Sequence, residues 1–360
     1  MNMRPTWLEI SLAALTHNYR LLSARAPRAE LIAVIKANAY GHGALPVVNH
    51  LRTLGASYFA VATSDEAARL REGGIEEPIL LLGALHPENA ADVARVRATP
   101  SITHLEAARA FAAAAPGAAV HIKVDSGMGR VGVAPAELAG LVAEVEEAGL
   151  RIEGIYTHFA VADENLRETK RQLDTFLAAT ASLPRRYPLH AANSAALLAG
   201  VGVGLDFVRP GLALYGLPPD MKNGFGLRPA LAWKAKPTQV KRPPAGWGIG
   251  YGLTYKASGK EWIATLPFGY ADGFFRALSN QGWVRYSGGY APVVGRVSMD
   301  QTTVSLPHEI DLEETFDVVT PDLDERTSLT GRALQLGTIN YELATALSGR
   351  LPRVYKGGLQ

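Results

Sequence analysis

From residue 31 the chain alternates between short apolar, β-branched runs and longer segments rich in Ala, Leu, Glu and Arg. The runs LIAVIK (31–36), YFAVA (58–62), PILLL (78–82), SITH (101–104), AVHIKV (119–124), IEGIYTH (152–158), YPLHAA (187–192) and DFVR (206–209) read as strands. The segments between them carry helix signals. Thr63 and Glu66 form a capping-box pattern ahead of a helix that Gly73 is placed to end, and Thr103 and Glu106 repeat the pattern before Pro116-Gly117. Pro135 suits a first helical turn, and Gly149 closes that segment. Eight strand–helix units predict an α/β fold, an N-terminal (β/α)8 TIM-type barrel over 14–225, because parallel strands need helical crossovers. SITH is the weakest strand; without it a doubly wound sheet is the alternative.

Beyond about residue 226 the pattern changes. ALAWKAKPTQVKR, EWIATLPFGY and APVVGRVSMDQTTVSL are β-rich and broken by Pro-Pro, Gly-Gly and Gly-Tyr-Gly, with helical pattern returning in GRALQLG (331–337) and NYELATALSG (340–349). A second, mostly β domain over 226–360 is expected, with residues 1–13 packing against it as a strand.

Composition narrows the function classes. Lys and Arg number 36 against 34 Asp and Glu, so no electrostatic ground exists to expect nucleic acid or an anionic membrane as partner. The absence of cysteine removes disulfides, thiol catalysis and thiolate metal sites. The opening MNMRPTWLEISL lacks a signal-peptide core, and no later run approaches the roughly 20 apolar residues of a spanning helix, so a cytoplasmic protein is expected.

A barrel carries its chemistry at the C-terminal ends of its strands. Lys36 ends the first predicted strand, Lys123 lies near the end of the fifth, His158 ends the sixth, Asn193-Ser194 follow the seventh and Arg209 ends the eighth. Each alone has an ordinary reading: a solvated lysine, a hydrogen-bonded packing histidine, a turn arginine before Pro210-Gly211. Together they place a nucleophilic amine, cations and Gly/Ser loops on one rim, and loops after strands seven and eight commonly hold phosphate through backbone N–H groups.

AVIKANAYGHG (33–43) resembles the cofactor-lysine signature of the alanine racemase family. The resemblance continues through VDSGMGRVG (124–132), THFAVADE (157–164), NSAA (193–196), VRPGLALYG (208–216), GYGLTY (250–255), PFGYADGF (267–274), GRVSMDQ (295–301) and GTINYE (337–342), nearly the whole chain in the family's order. It implies a pyridoxal-phosphate-dependent racemase interconverting L- and D-alanine and supplying D-alanine for cell-wall peptidoglycan. Racemisation needs a base on each face of a planar intermediate, and the resemblance implies Lys36 on one and Tyr251 on the other. A free phenol ionises near a pKa of about 10, so the role calls for cationic or hydrogen-bonding neighbours, His158 and Arg209 by resemblance.

The resemblance further implies that Arg209 faces the pyridine nitrogen. It points to Tyr40, Ser194, the N–H groups near Gly211 and Leu212, and Tyr341 for the phosphate, with Asn193 beside them. Arg130 and Met299 match the substrate-carboxylate positions, with Tyr270 near the entrance. Lys123 matches a lysine that can be carbamylated and then orients Arg130; an ordinary Lys123–Asp125 interaction is the alternative. A head-to-tail homodimer whose partner lends Tyr251 and Met299 is expected. Ser298 departs from the family, standing where cysteine is frequent.

Three rival readings stay open: a broader amino-acid racemase, since one methylene separates substrates by only ~1–3 kcal/mol; a non-catalytic cofactor-binding barrel; and an NAD-dependent oxidoreductase. The last rests on Gly127-Met128-Gly129-Arg130-Val131-Gly132, a GxGxxG after a strand and before a helix, with Glu153 beyond it. Glu153 falls at the start of its strand, whereas a ribose-binding acid belongs at the end, and four βα units already precede the motif. No HExxH spacing supports a metal hydrolase.

Overall fold

A computed structural model describes residues 4–357, which divide into two compact units. One spans residues 16–39 and 44–214, and the other spans residues up to 15, 40–43 and 215 onward.

After a first strand β1 (Thr6–Ser11), eight strands follow: β2 (Glu30–Val34), β3 (Tyr58–Val61), β4 (Ile79–Ala84), β5 (Thr99–Ile102), β6 (Ala119–Lys123), β7 (Arg151–Tyr156), β8 (Leu189–His190) and β9 (Phe207–Val208). These eight close into a parallel barrel, with Leu31 of β2 paired to Val208 of β9. The near-continuous burial of β2, β3 and β6 reflects a sheet covered by helices outside and filled by side chains inside. SITH contributes its first half to β5, which starts at Thr99, and the last two strands shrink to two residues each.

The helix signals are met unevenly. Thr63 Oγ1 accepts from Glu66 N at 3.3 Å and caps Ser64–Glu72, which ends at Gly73. The second capping box does not form: His104 takes the N-cap position of Leu105–Ala114 with no side-chain bond to the helix, and Thr103 Oγ1 bonds the His104 ring at 3.0 Å. A hydroxyl one residue too early for the cap turns to the nearest polar partner.

The other unit is built on a six-stranded sheet ordered Gly289–Pro292, Trp283–Tyr286, Phe316–Val319, β10 (Leu231–Ala235), β1 and Arg353–Lys356. β1 buries Thr6, Leu8 and Ile10 on alternate positions, pairs antiparallel to β10 and runs parallel to Arg353–Lys356. A three-stranded antiparallel sheet joins Gln239–Lys241, Trp262–Leu266 and Thr302–Leu306. Trp233, Phe268 and Phe274 form an aromatic core, with Phe268 centred 4.9 Å from Trp233 and 5.0 Å from Phe274. Among the described residues, no helix is long and apolar enough to cross a membrane, and no cluster of three or more His, Asp or Glu is placed to hold a metal.

Gly216 shows how tightly this unit closes. Its φ is +76°, and an added Cβ would lie 1.9 Å from Arg228 O. Gly216→Ala is expected to destabilise the protein by roughly 2–3 kcal/mol through left-handed strain and collision with backbone. Urea denaturation checks this; a loss below about 0.5 kcal/mol contradicts it.

Candidate active site

The barrel unit gathers titratable side chains at the C-terminal strand ends. Lys36 follows β2 by two residues, Lys123 is the last residue of β6, His158 lies two beyond β7, and Arg209 directly follows β9.

After Lys36 the backbone does not continue as a strand. Ala37, Asn38 and Ala39 adopt φ of 51°, 54° and 56° with matching positive ψ, one left-handed turn made without glycine. Each such residue costs roughly 1–2 kcal/mol, so the turn must be held. Glu66 holds it: Oε1 accepts from Ala37 N at 2.6 Å while Oε2 accepts from Ala62 N at 2.8 Å. Asn38 Oδ1 adds a bond from Ala44 N at 2.8 Å. Burial, aided by Arg130, pushes the Lys36 amine below its ordinary pKa against the opposing pull of Glu66.

Arg209 is 3 % exposed and, among the described residues, is held without a carboxylate. Nη1 bonds His190 Nδ1 at 2.8 Å, and Nη2 donates to Thr157 O at 2.7 Å and Ala191 O at 3.1 Å. His158 Nδ1 lies 3.4 Å from Nη2, and the Tyr156 ring lies 4.8 Å from Cζ. Burial lowers its pKa to about 10, which leaves the guanidinium charged at neutral pH.

A guanidinium only donates, so His190 Nδ1 must accept. The neutral ring then carries its proton on Nε2 and donates to His121 Nδ1 at 2.8 Å. His121 in turn presents Nε2–H to the Tyr58 hydroxyl at 3.0 Å. Gly154 makes room for both rings; a Cβ there would sit 2.5 Å from the His121 ring. Burial and then Arg209 hold both imidazoles neutral, His121 down to about 3 and His190 well below its usual range.

His158 is likewise kept well below its ordinary pKa by burial and by Arg209, Lys123, Arg130 and Lys36 in turn. Four cations therefore act on one neutral imidazole. Lys123 lies 5.6 Å from the Tyr156 ring centroid, and burial, Arg209 and Arg130 bring its pKa to about 8 despite Asp125.

Asp125 has a different partner set. Its Oδ1 accepts from Gly127, Met128 and Gly129 N–H at 3.0, 2.8 and 3.1 Å, and Oδ2 from Arg130 N at 3.0 Å. Those bonds hold its carboxyl below the usual range. The glycine loop thus wraps its own carboxylate rather than presenting free N–H groups to a pyrophosphate, and it positions Arg130. Ser194 stands at the start of Ser194–Leu198, capped by Asn193 Oδ1 accepting from Ala196 N at 3.0 Å. Its hydroxyl accepts from Gly211 N at 2.9 Å and Ala213 N at 3.3 Å, tying the β8 and β9 loops together around Leu212.

The remaining predicted residues belong to the other unit. The Tyr40 ring packs tilted against Tyr215, centroids 5.1 Å apart, and the following Gly41 carbonyl accepts from Arg353 Nε at 2.8 Å. Tyr341 lies on the short helix Asn340–Thr345. Tyr251 sits in the Gly250–Gly252 turn joining the paired strands Gly248–Ile249 and Tyr255–Lys256. Tyr270 N donates to Ser298 O at 3.0 Å and Ala271 N to Met299 O at 3.1 Å, zipping those two loops together. Tyr251, Met299 and Tyr270 are 72 %, 52 % and 43 % exposed.

Sequence reasoning missed Glu66, His121, His190 and Tyr58. The signal for the histidines was present: each interrupts an otherwise apolar strand, where a polar side chain needs a buried partner.

The neutral histidines make stability fall in acid. With a folded pKa near 3 for His121 and an unfolded value near 6.5, only the unfolded state gains the proton between them. Stability is full above about pH 6.5 and declines as pH drops toward 3, by about 1.4 kcal/mol per pH unit for each such histidine. Urea denaturation at pH 7.5 and 5 should show this slope, shallower in His121→Asn; an equal slope in the variant contradicts it.

The models of the alanine racemase N-terminal and C-terminal domains match residues 10–219 and 230–355. An alanine racemase of Desulforamulus reducens is 42% identical over 98% of this chain and 99% of its own. Crystal structures of alanine racemases from E. faecalis and Bacillus anthracis, the latter with bound L-Ala-P, each superpose with a TM-score of 0.91 at 37% identity. Both cover 98% of this chain, and 98% and 95% of theirs. Over both units, in sequence and in fold, the chain belongs to the alanine racemase family of isomerases.

Proposed function

We propose that the chain racemises alanine with pyridoxal phosphate as cofactor, using Lys36 and Tyr251 as bases on opposite faces of the substrate Cα. The observation that carries the reading is the set of four cations, Lys36, Lys123, Arg130 and Arg209, acting together on the neutral His158, with Arg209 bonded to no carboxylate. Such a set calls for anions, and a phosphate and a substrate carboxylate supply them.

The residues present fit the cofactor. Lys36 is the amine that would attach it covalently, and its lowered pKa leaves more of it unprotonated, free to attach and to act as a base. The Ser194 hydroxyl, its oxygen held by Gly211 N, and the N–H of Leu212, with Tyr40 and Tyr341, are donors suited to a phosphate, and Asn193 caps the helix that Ser194 begins. Arg209, still charged, cannot readily pass a proton to the pyridine nitrogen it is assigned to face. When bound, the cofactor spreads the negative charge left at Cα through its conjugated ring.

Arg130 and Met299 are assigned to the substrate carboxylate and Tyr270 to the entrance. Lys123, with a pKa near 8, has a neutral fraction able to add carbon dioxide at Nζ; a C–N bond forms, a proton leaves, and a negative group results beside Arg130. Tyr251, Met299 and Tyr270 are more exposed than residues of a closed site should be, which supports a homodimer whose partner covers them. The product supplies D-alanine for cell-wall synthesis.

Purified holoenzyme should absorb near ~420 nm, lose the band on borohydride treatment and carry cofactor mass on Lys36, while optical rotation of L-alanine decays to zero. A protein that gains no band with added pyridoxal phosphate contradicts the proposal. The two-base assignment is read from exchange in deuterium oxide. Tyr251→Phe should lose racemisation in both directions, by at least ~100-fold, yet still exchange the α-proton of one enantiomer. Equal exchange of both enantiomers, or of neither, contradicts it.

A further inference from the structure

The β-rich unit buries a second guanidinium that the proposed reaction does not use. Arg332, on the helix Leu329–Leu336, is 3 % exposed. Its Nη2 donates to Trp283 O at 2.8 Å, and its Cζ lies 4.9 Å from the centre of the Phe274 ring. Among the described residues, its enclosed Nε–H has no acceptor. Asp324 is the carboxylate whose charge Arg332 feels, but it is engaged elsewhere. It accepts from Tyr290 Oη, from Thr327 Oγ1 at 2.8 Å, and from Arg326 N and Thr327 N at 2.9 and 2.8 Å. Burial lowers the Arg332 pKa to about 9, so the side chain remains a cation at neutral pH.

Arg332 lines a cavity of about 10 Å³ walled by Trp233, Phe274, Leu329, Leu343 and Leu347 among others. That is room for one water-sized occupant. Among the described lining residues, Arg332 is the one ionisable side chain, and the Trp233 indole N–H is already given to Thr6 Oγ1 at 2.8 Å. A buried water needs two to four polar partners, and these side chains offer one donor. A monatomic anion has no hydrogens to satisfy and is drawn by a guanidinium that Asp324 offsets only at a distance, with no carboxylate bonded to it.

We propose that this cavity is a halide site, occupied by chloride seated against Arg332 Nε. The site lies wholly within the β-rich unit and is independent of the cofactor chemistry. Leu343 belongs to the helix that carries Tyr341, so the ion braces an element assigned to the phosphate.

Two measurements on the holoenzyme test it together. Crystals grown in sodium bromide should show an anomalous bromine peak beside Arg332 Nε. In solution, replacing gluconate by chloride at constant ionic strength should raise Tm saturably by about 2–4 °C, a response absent in Arg332→Met. Should that variant fail to fold, Arg332→Lys, which keeps a charge but lacks the Nε–H, should show the response weakened. Water density or an empty map at Arg332, or a Tm indifferent to the choice of anion, overturns the proposal.

Discussion

The arrangement of the barrel interior depends on one constraint: a permanently charged guanidinium, Arg209, is buried and must be satisfied without an acid. A carboxylate there would neutralise the charge and with it the site's demand for anions. The barrel supplies neutral acceptors instead, two carbonyl oxygens and an imidazole nitrogen. Because arginine only donates, the direction of every bond from His190 through His121 to Tyr58 follows from that single charge. The glycine at 154, the depressed histidine pKa values and the acid sensitivity are consequences of the same choice.

A second cost sits at the opposite side of the β2–β9 pairing. The left-handed turn after Lys36 is made by Ala37, Asn38 and Ala39, of which only Asn38 adopts that region readily. Glu66 offsets part of that strain by bonding Ala37 N and Ala62 N with one carboxylate. Strain held by surrounding bonds is how a fold fixes a reactive group in one place. Lys36 stands at the start of that turn while burial lowers its affinity for a proton.

Much of this was legible in the chain. Eight apolar runs separated by helical segments required parallel crossovers, and the ends of those runs located Lys36, Lys123, His158 and Arg209. The resemblance named Tyr251, Met299 and Tyr270, which no spacing rule would have singled out from ordinary surface aromatics. The hidden part has physical reasons. Glu66 reads locally as a capping residue, and its backbone cap does form, but its side chain serves a turn 29 positions earlier. The GxGxxG was misleading because a carboxylate two residues before it takes up the N–H groups that a dinucleotide would need. His121 and His190 are 69 positions apart and meet only once the barrel closes.

Nitrogen NMR of ¹⁵N-histidine-labelled holoenzyme, recorded from pH 8 to pH 5, tests the central claim most directly. The account predicts that His190 and His121 stay neutral throughout, each protonated on Nε2 with Nδ1 as acceptor, and that His121→Asn perturbs the His190 signals. A His190 protonated on Nδ1, or either ring doubly protonated at pH 7, would show that Arg209 is not held by neutral acceptors and would contradict the account.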